Sequence, residues 1–154
     1  VNGKVQNVAL TPGTYAEVKG LWKKGDRIEL ILPMEAKLIE ANPLVEETRN
    51  QVTVKRGPVV YCLESVDVPK GNSIFNLSIP ARERWTPSFI KIDNSNIVSL
   101  SGEAEVMNTT DWKDQLYKEV SQKATVKVPV KLVPYYAWGN RGQSEMSVWL
   151  PVSR

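Results

Sequence analysis

Seventeen acidic residues, one cysteine and no histidine make up the reactive inventory of this 154-residue chain, and each count narrows the chemistry open to it. Without histidine the commonest general base and metal ligand are absent, and with them every Ser-His or Cys-His pair. One cysteine allows neither an internal disulfide nor a thiolate cluster for zinc. Cys62 lies in the apolar run Val59-Val-Tyr-Cys-Leu63, and the nearest basic residue in sequence is Arg56. A nucleophilic thiol needs an adjacent cation or metal to lower its pKa, so Cys62 reads as buried and structural. Carboxylates remain. Glycoside hydrolysis uses two carboxyl groups about 5–10 Å apart, and Glu46-Glu47, Glu103 with Glu105, Glu64 and Asp67 are available. On a strand Glu103 and Glu105 share a face, but solvated faces carry such pairs routinely. No catalytic residue and no metal ligand is assigned.

The elements that must position these groups read as strands. Ile28, Leu30 and Leu32 alternate with other residues in 26–33. Val52 and Val54 alternate with polar neighbours, and Val126, Val128, Val130 and Leu132 alternate with Lys127, Pro129 and Lys131. Asn2-Gly3, Gly25-Asp26, Arg56-Gly57-Pro58, Lys70-Gly71-Asn72, Ser101-Gly102 and Arg141-Gly142 mark turns. Short strands at this spacing, with ten prolines, predict an all-β chain of antiparallel β-sandwich type. The polar, turn-rich 65–73 predicts two small sandwiches in contact, the first from 1–66 plus 143–154 and the second from 67–142. In Asp111–Val120, Trp112, Leu116 and Val120 recur every four residues, which fits a turn and a half of helix or two strand repeats equally. The sequons at Asn76 and Asn108 are short enough to arise by chance.

The bulk values fit a globular chain: 42% apolar and 24% charged. A net charge of +3 with basic residues spread along the chain speaks against a nucleic-acid partner. No apolar run approaches the ~20 residues of a membrane helix, so no membrane partner is expected. The chain opens on Val1 without a recognisable leader, and so reads as a piece of a longer polypeptide.

Four stretches together resemble one family. They are Gly13-Thr-Tyr-Ala16 with Leu21-Trp-Lys-Lys-Gly-Asp26; Ile28 to Met34; Lys55-Arg-Gly-Pro-Val-Val-Tyr-Cys-Leu-Glu64; and Val133-Pro-Tyr-Tyr-Ala-Trp-Gly-Asn-Arg-Gly142 with Met146-Ser-Val-Trp149. The chain is similar to the C-terminal region of glycoside hydrolase family 127, the β-L-arabinofuranosidase type, most weakly over residues 67–125. The resemblance implies a parent whose N-terminal helical barrel carries a cysteine nucleophile in a zinc site of cysteines and a glutamate. Cys62 lies outside that pattern, so no cofactor is expected in this chain and zinc belongs to the parent's catalytic domain. It further implies a return of 145–152 to strands within 1–66, and a missing strand before Val1 that leaves an exposed edge. The implied partners are the catalytic helical barrel of the same polypeptide and plant-type arabinose-containing glycans. A periplasmic or extracellular setting is favoured for the parent; the chain itself does not disclose one.

The stretch 132–151, LVPYYAWGNRGQSEMSVWLP, then becomes the candidate contact site, through Tyr135, Tyr136, Trp138, Asn140 and Arg141. Each aromatic ring offers about 150–250 Å², and four exposed rings would exceed the few hundred Å² that monomer surfaces usually show. Three covers are open: the sandwich core, the absent catalytic domain, or a bound sugar. Packing into the core is the leading expectation. Arg141 is expected to pin the Asn-Arg-Gly turn through carboxylates or carbonyls, with Gly142 or Asn140 at positive φ. The expected function is a non-catalytic accessory region bracing the catalytic barrel; the alternative is a stand-alone carbohydrate-binding module.

Overall fold

The computed structural model describes residues 1–107, 112, 115–119 and 125–154. The Asn108 sequon lies outside them, as do residues 111, 113, 114 and 120 of the segment with the four-residue repeat. The chain divides into two compact units, Val1–Pro33 and Met34–Arg154. This boundary differs from the one read at residues 66 and 67.

Val1–Pro33 contains turns but no strand. Its organising contact is a clasp around the first turn. The Asn2 N–H donates to the Arg27 carbonyl at 2.9 Å, and the Asn2 side chain accepts from the Arg27 N–H at 2.8 Å and donates to Asp26 at 3.0 Å. The Lys23 backbone N–H and the Asn2 amide hold the Asp26 carboxyl below its ordinary pKa. The strand expected at 26–33 does not form, and Ile28, Leu30 and Leu32 are exposed. Alternation supplies a face but no hydrogen-bonding partner, and a strand needs both.

Met34–Arg154 is all-β. Its strands are β1 (Ala36–Glu40), β2 (Gln51–Arg56), β3 (Val59–Glu64), β4 (Leu77–Pro80), β5 (Thr86–Ile92), β6 (Ser95–Val106), β7 (Val126–Pro134), β8 (Met146–Ser147) and β9 (Leu150–Ser153). They join in the order β1-β2-β9-β4-β6-β7-β3-β8, and β2 also pairs β3. That last pairing closes β2-β9-β4-β6-β7-β3 into a six-stranded barrel, with β1, β5 and β8 attached outside the ring. The all-β expectation holds, but the strands form one closing sheet where facing sandwiches were expected. Nor is the sheet wholly antiparallel, since β4 runs parallel to β9 through Ile79 and Val152. The expected return of the C-terminal strands is present: Val52 pairs Leu150 and Leu63 pairs Ser147.

Closure begins at the β2–β3 hairpin, whose two-residue turn is Gly57-Pro58. Gly57 has φ +56°, as the first position of such a turn requires, and an added Cβ would lie 2.3 Å from the Met34 sulfur. Inside the ring, Val54, Tyr61, Leu63, Leu77, Ile79, Leu100, Leu132 and Leu150 form the main core. A second cluster of Cys62, Ile92, Ile97, Val133 and Ala137 lies on the opposite face of β3 and β7. Adjacent residues such as Cys62 and Leu63, or Leu132 and Val133, thus point into different clusters. Burial on both faces is why β3 is a continuous apolar run without alternation.

Candidate functional site

The aromatic stretch starts where β7 ends. Pro134 is buried, and Tyr135–Ala137 turn as a single 3-10 segment. Ala137 alone of that segment enters the second core cluster. Its small side chain fits there, while Tyr135, Tyr136 and Trp138 remain 49%, 69% and 45% exposed. The Tyr135 and Trp138 rings stack with centroids 6.4 Å apart and planes 6° from parallel. This corrects the expectation of core packing: the backbone turns before the rings can alternate across a sheet, and three of them stay exposed, Tyr135 and Trp138 stacked as an aromatic ledge. Trp149, the fourth, is partly buried.

An ionic network fixes the turn that follows Trp138. Glu64, the last residue of β3, is fully buried, and Asp67 closes the following 3-10 turn. Arg141 reaches both. Its Nε donates to Glu64 at 3.2 Å and its Nη1 to Asp67 at 2.9 Å, while Nη2 contacts both carboxylates. Glu64 also accepts from the Ser144 hydroxyl at 2.9 Å and the Gly139 N–H at 3.3 Å. Burial pulls the Glu64 carboxyl upward, but Arg141, Ser144 and the Gly139 N–H together outweigh it and leave the pKa lowered. Hydrogen bonding to Asp67, and secondarily to Glu64, pushes Arg141 above its ordinary value against the effect of burial. The Glu64 carboxylate is thereby held ionised, and with Asp67 it anchors Arg141 and the turn that carries it. Positive φ falls at Gly139 and Gly142, not at Asn140. Asn140 closes the turn by donating to the Ala137 carbonyl at 3.3 Å.

The other reactive candidates are dispersed. Glu103 pairs with Lys127 at 3.1 Å on an exposed face, and Glu46 pairs with Arg49 at 3.0 Å. Cys62 is buried, and desolvation, then the charge of Glu64, push its thiol up to about 12. Such a thiol is inert at neutral pH. Arg141 was legible as a turn pin, but its partners stand 77 and 74 positions away, so pairing them required the fold. The one local signal was an acidic residue closing the apolar run at Glu64.

Comparison with known proteins settles the family. The glycoside hydrolase family 127 C-terminal domain matches residues 36–151. This chain belongs to family 127. The β-L-arabinofuranosidase GH127 middle domain matches residues 1–34, so the two matches meet close to the Pro33–Met34 division. The non-reducing end β-L-arabinofuranosidase of Bifidobacterium longum subsp. longum is 32% identical over 97% of this family 127 chain and 23% of its own length. A solved glycoside hydrolase shares 48% identity with a TM-score of 0.88, over 99% of this chain and 25% of its own. A GH127 β-L-arabinofuranosidase from Geobacillus stearothermophilus T6 shares 38% identity with a TM-score of 0.70, over 79% and 19%. The chain therefore spans about a quarter or less of each relative.

Proposed function

We propose that this chain is the non-catalytic accessory region of a longer family 127 glycoside hydrolase acting on β-L-arabinofuranosyl linkages, and that its aromatic ledge packs against the parent's catalytic helical barrel. The observation that carries this reading is the ledge itself. Three half-exposed to exposed rings sit on a turn fixed by a buried ion network, in a family whose matched relatives are about four times longer. A preorganised apolar surface of this kind suits a permanent partner, because little conformational entropy is lost when it is covered. The exposed apolar residues of Val1–Pro33 support the same reading, since Val5, Tyr15 and Leu21 are almost fully exposed. Catalytic chemistry is assigned elsewhere in the parent. The zinc ligands that the family resemblance implies do not fit this chain, where the lone thiol is buried and no group of three or more Cys, Asp or Glu converges among the described residues.

The test compares Trp138→Ala in the 154-residue chain and in the full-length parent. The substitution should destabilise the parent by clearly more than the chain alone. Equal effects would remove the docking role. Turnover of aryl arabinofuranosides by the purified chain would overturn the non-catalytic assignment. The near-parallel Tyr135–Trp138 pair also favours a second reading, a sugar-stacking platform. Glycan affinity lost in Trp138→Ala at unchanged stability would make that the better one.

A further inference from the structure

Asn2-Gly3 is the single Asn-Gly pair in the chain, and it sits in the clasp that organises Val1–Pro33. Both residues are exposed, and both have positive φ, 51° at Asn2 and 74° at Gly3. A Cβ built at Gly3 would meet nothing within 4 Å, so that side of the turn is open. Such a pair is chemically labile, because no glycine Cβ hinders attack by its nitrogen on the neighbouring side-chain amide. We propose that Asn2 is a modification site whose deamidation unlocks the clasp. The proposal is independent of the accessory role.

The clasp gates the reaction. Asn2 Oδ1 accepts from the Arg27 N–H at 2.8 Å and Nδ2 donates to Asp26 at 3.0 Å, so both side-chain atoms are held toward residues 26 and 27. Ring closure waits until they are released. The Gly3 nitrogen then bonds to Asn2 Cγ, the Cγ–Nδ2 bond breaks, and the Gly3 proton leaves with the side-chain nitrogen as ammonia. Water opens the resulting succinimide at either carbonyl, giving aspartate or isoaspartate. The overall change consumes water, releases ammonia and needs no oxidant or metal. Neither product restores the clasp. Aspartate at position 2 has no donor for Asp26, and two carboxylates then face each other where one hydrogen bond stood. Isoaspartate routes the main chain through the former side chain. The added main-chain atom breaks the register of the Lys4 N–H on the Val1 carbonyl, which closes the turn at 2.9 Å. Opening is therefore one-way.

The test incubates the 154-residue chain at mildly alkaline pH and follows each asparagine by peptide mapping and isoaspartate detection. Asn2 should react before Asn7, Asn72 and Asn94, which precede residues other than glycine. Asn2→Gln, with a longer side chain that closes the analogous ring far more slowly, should abolish the early signal. Asp26→Ala should speed the reaction at Asn2 about two- to tenfold, as loss of one hydrogen bond implies. In the isolated isoaspartate form, the Arg27 amide should exchange with solvent faster by a similar factor, about two- to tenfold. The β6 and β7 amide signals should persist throughout, showing that the barrel remains folded. Deamidation at Asn2 no earlier than at the other asparagines overturns the site. An unchanged rate in Asp26→Ala overturns the gating, and unchanged Arg27 exchange in the isoaspartate form overturns the unlocking.

Discussion

Val1–Pro33 and Met34–Arg154 carry the same apolar alternation and meet different fates. Ile28, Leu30 and Leu32 repeat at the spacing of Val128, Val130 and Leu132. The second set lies in β7, where Val130 and Leu132 are buried and paired with Gly102 and Leu100 of β6. The first set forms no strand and stays exposed. Alternation specifies which face of a strand would be apolar, whereas pairing depends on a second strand whose backbone groups are in register. The barrel supplies that strand at every position of its ring. Within Val1–Pro33, the clasp at Asn2, Asp26 and Arg27 joins the two ends of the segment by hydrogen bonds without forming a strand ladder.

The largest expected effect sharpens this contrast inside the barrel. Arg141→Ala leaves Glu64 buried beside Asp67 without a counter-charge, and should cost about 3–5 kcal/mol in urea denaturation at neutral pH. Glu64 has a folded pKa below its unfolded value, so the network's contribution is complete above the ordinary carboxylate range. It is lost as pH falls through the folded value, and the deficit of Arg141→Ala should shrink in the same acid window. A deficit independent of pH would mean that the turn is held by packing instead.

Next comes a matched pair of leucines. Leu100→Ala, at a fully buried site, should cost about 2–5 kcal/mol, and Leu30→Ala less than about 0.5 kcal/mol in the same chain. Comparable losses would break the contrast between the two regions. Hydrogen exchange should agree, with slow amides along β6 and β7 and fast exchange across most of 5–22.

Trp138→Ala should cost about 1 kcal/mol, the scale of one lost aromatic pair, and not the 3–5 kcal/mol of a core tryptophan. A core-sized loss would return the ledge to the interior.

The smallest effect is alkaline. Cys62 has a folded pKa pushed up to about 12, so its contribution is present below the unfolded thiol pKa. Stability should begin to decline by about 0.4 kcal/mol as pH reaches that unfolded value, and Cys62→Ala should remove that component of the alkaline slope.

Much was legible in the chain alone. The lack of histidine, the lone cysteine in an apolar run and the turn residues restrict the reactive chemistry and predict an all-β architecture, because they depend only on residue type and local order. The strings around Lys55–Glu64 and Val133–Gly142 carried the family, and the return of the last strands to β2 and β3 followed from it. Tertiary structure decided the rest. Whether strands form two facing sheets or one closed ring depends on the β4–β9 pairing, which no local pattern encodes, as well as on the β2–β3 hairpin that the Gly57-Pro58 turn announces. Whether Tyr135, Tyr136 and Trp138 are core or ledge turned on a one-turn 3-10 segment that buries Ala137 in their place. Arg141 found Glu64 and Asp67 across more than seventy residues, because folding brings together groups whose separation along the chain carries no trace of the encounter.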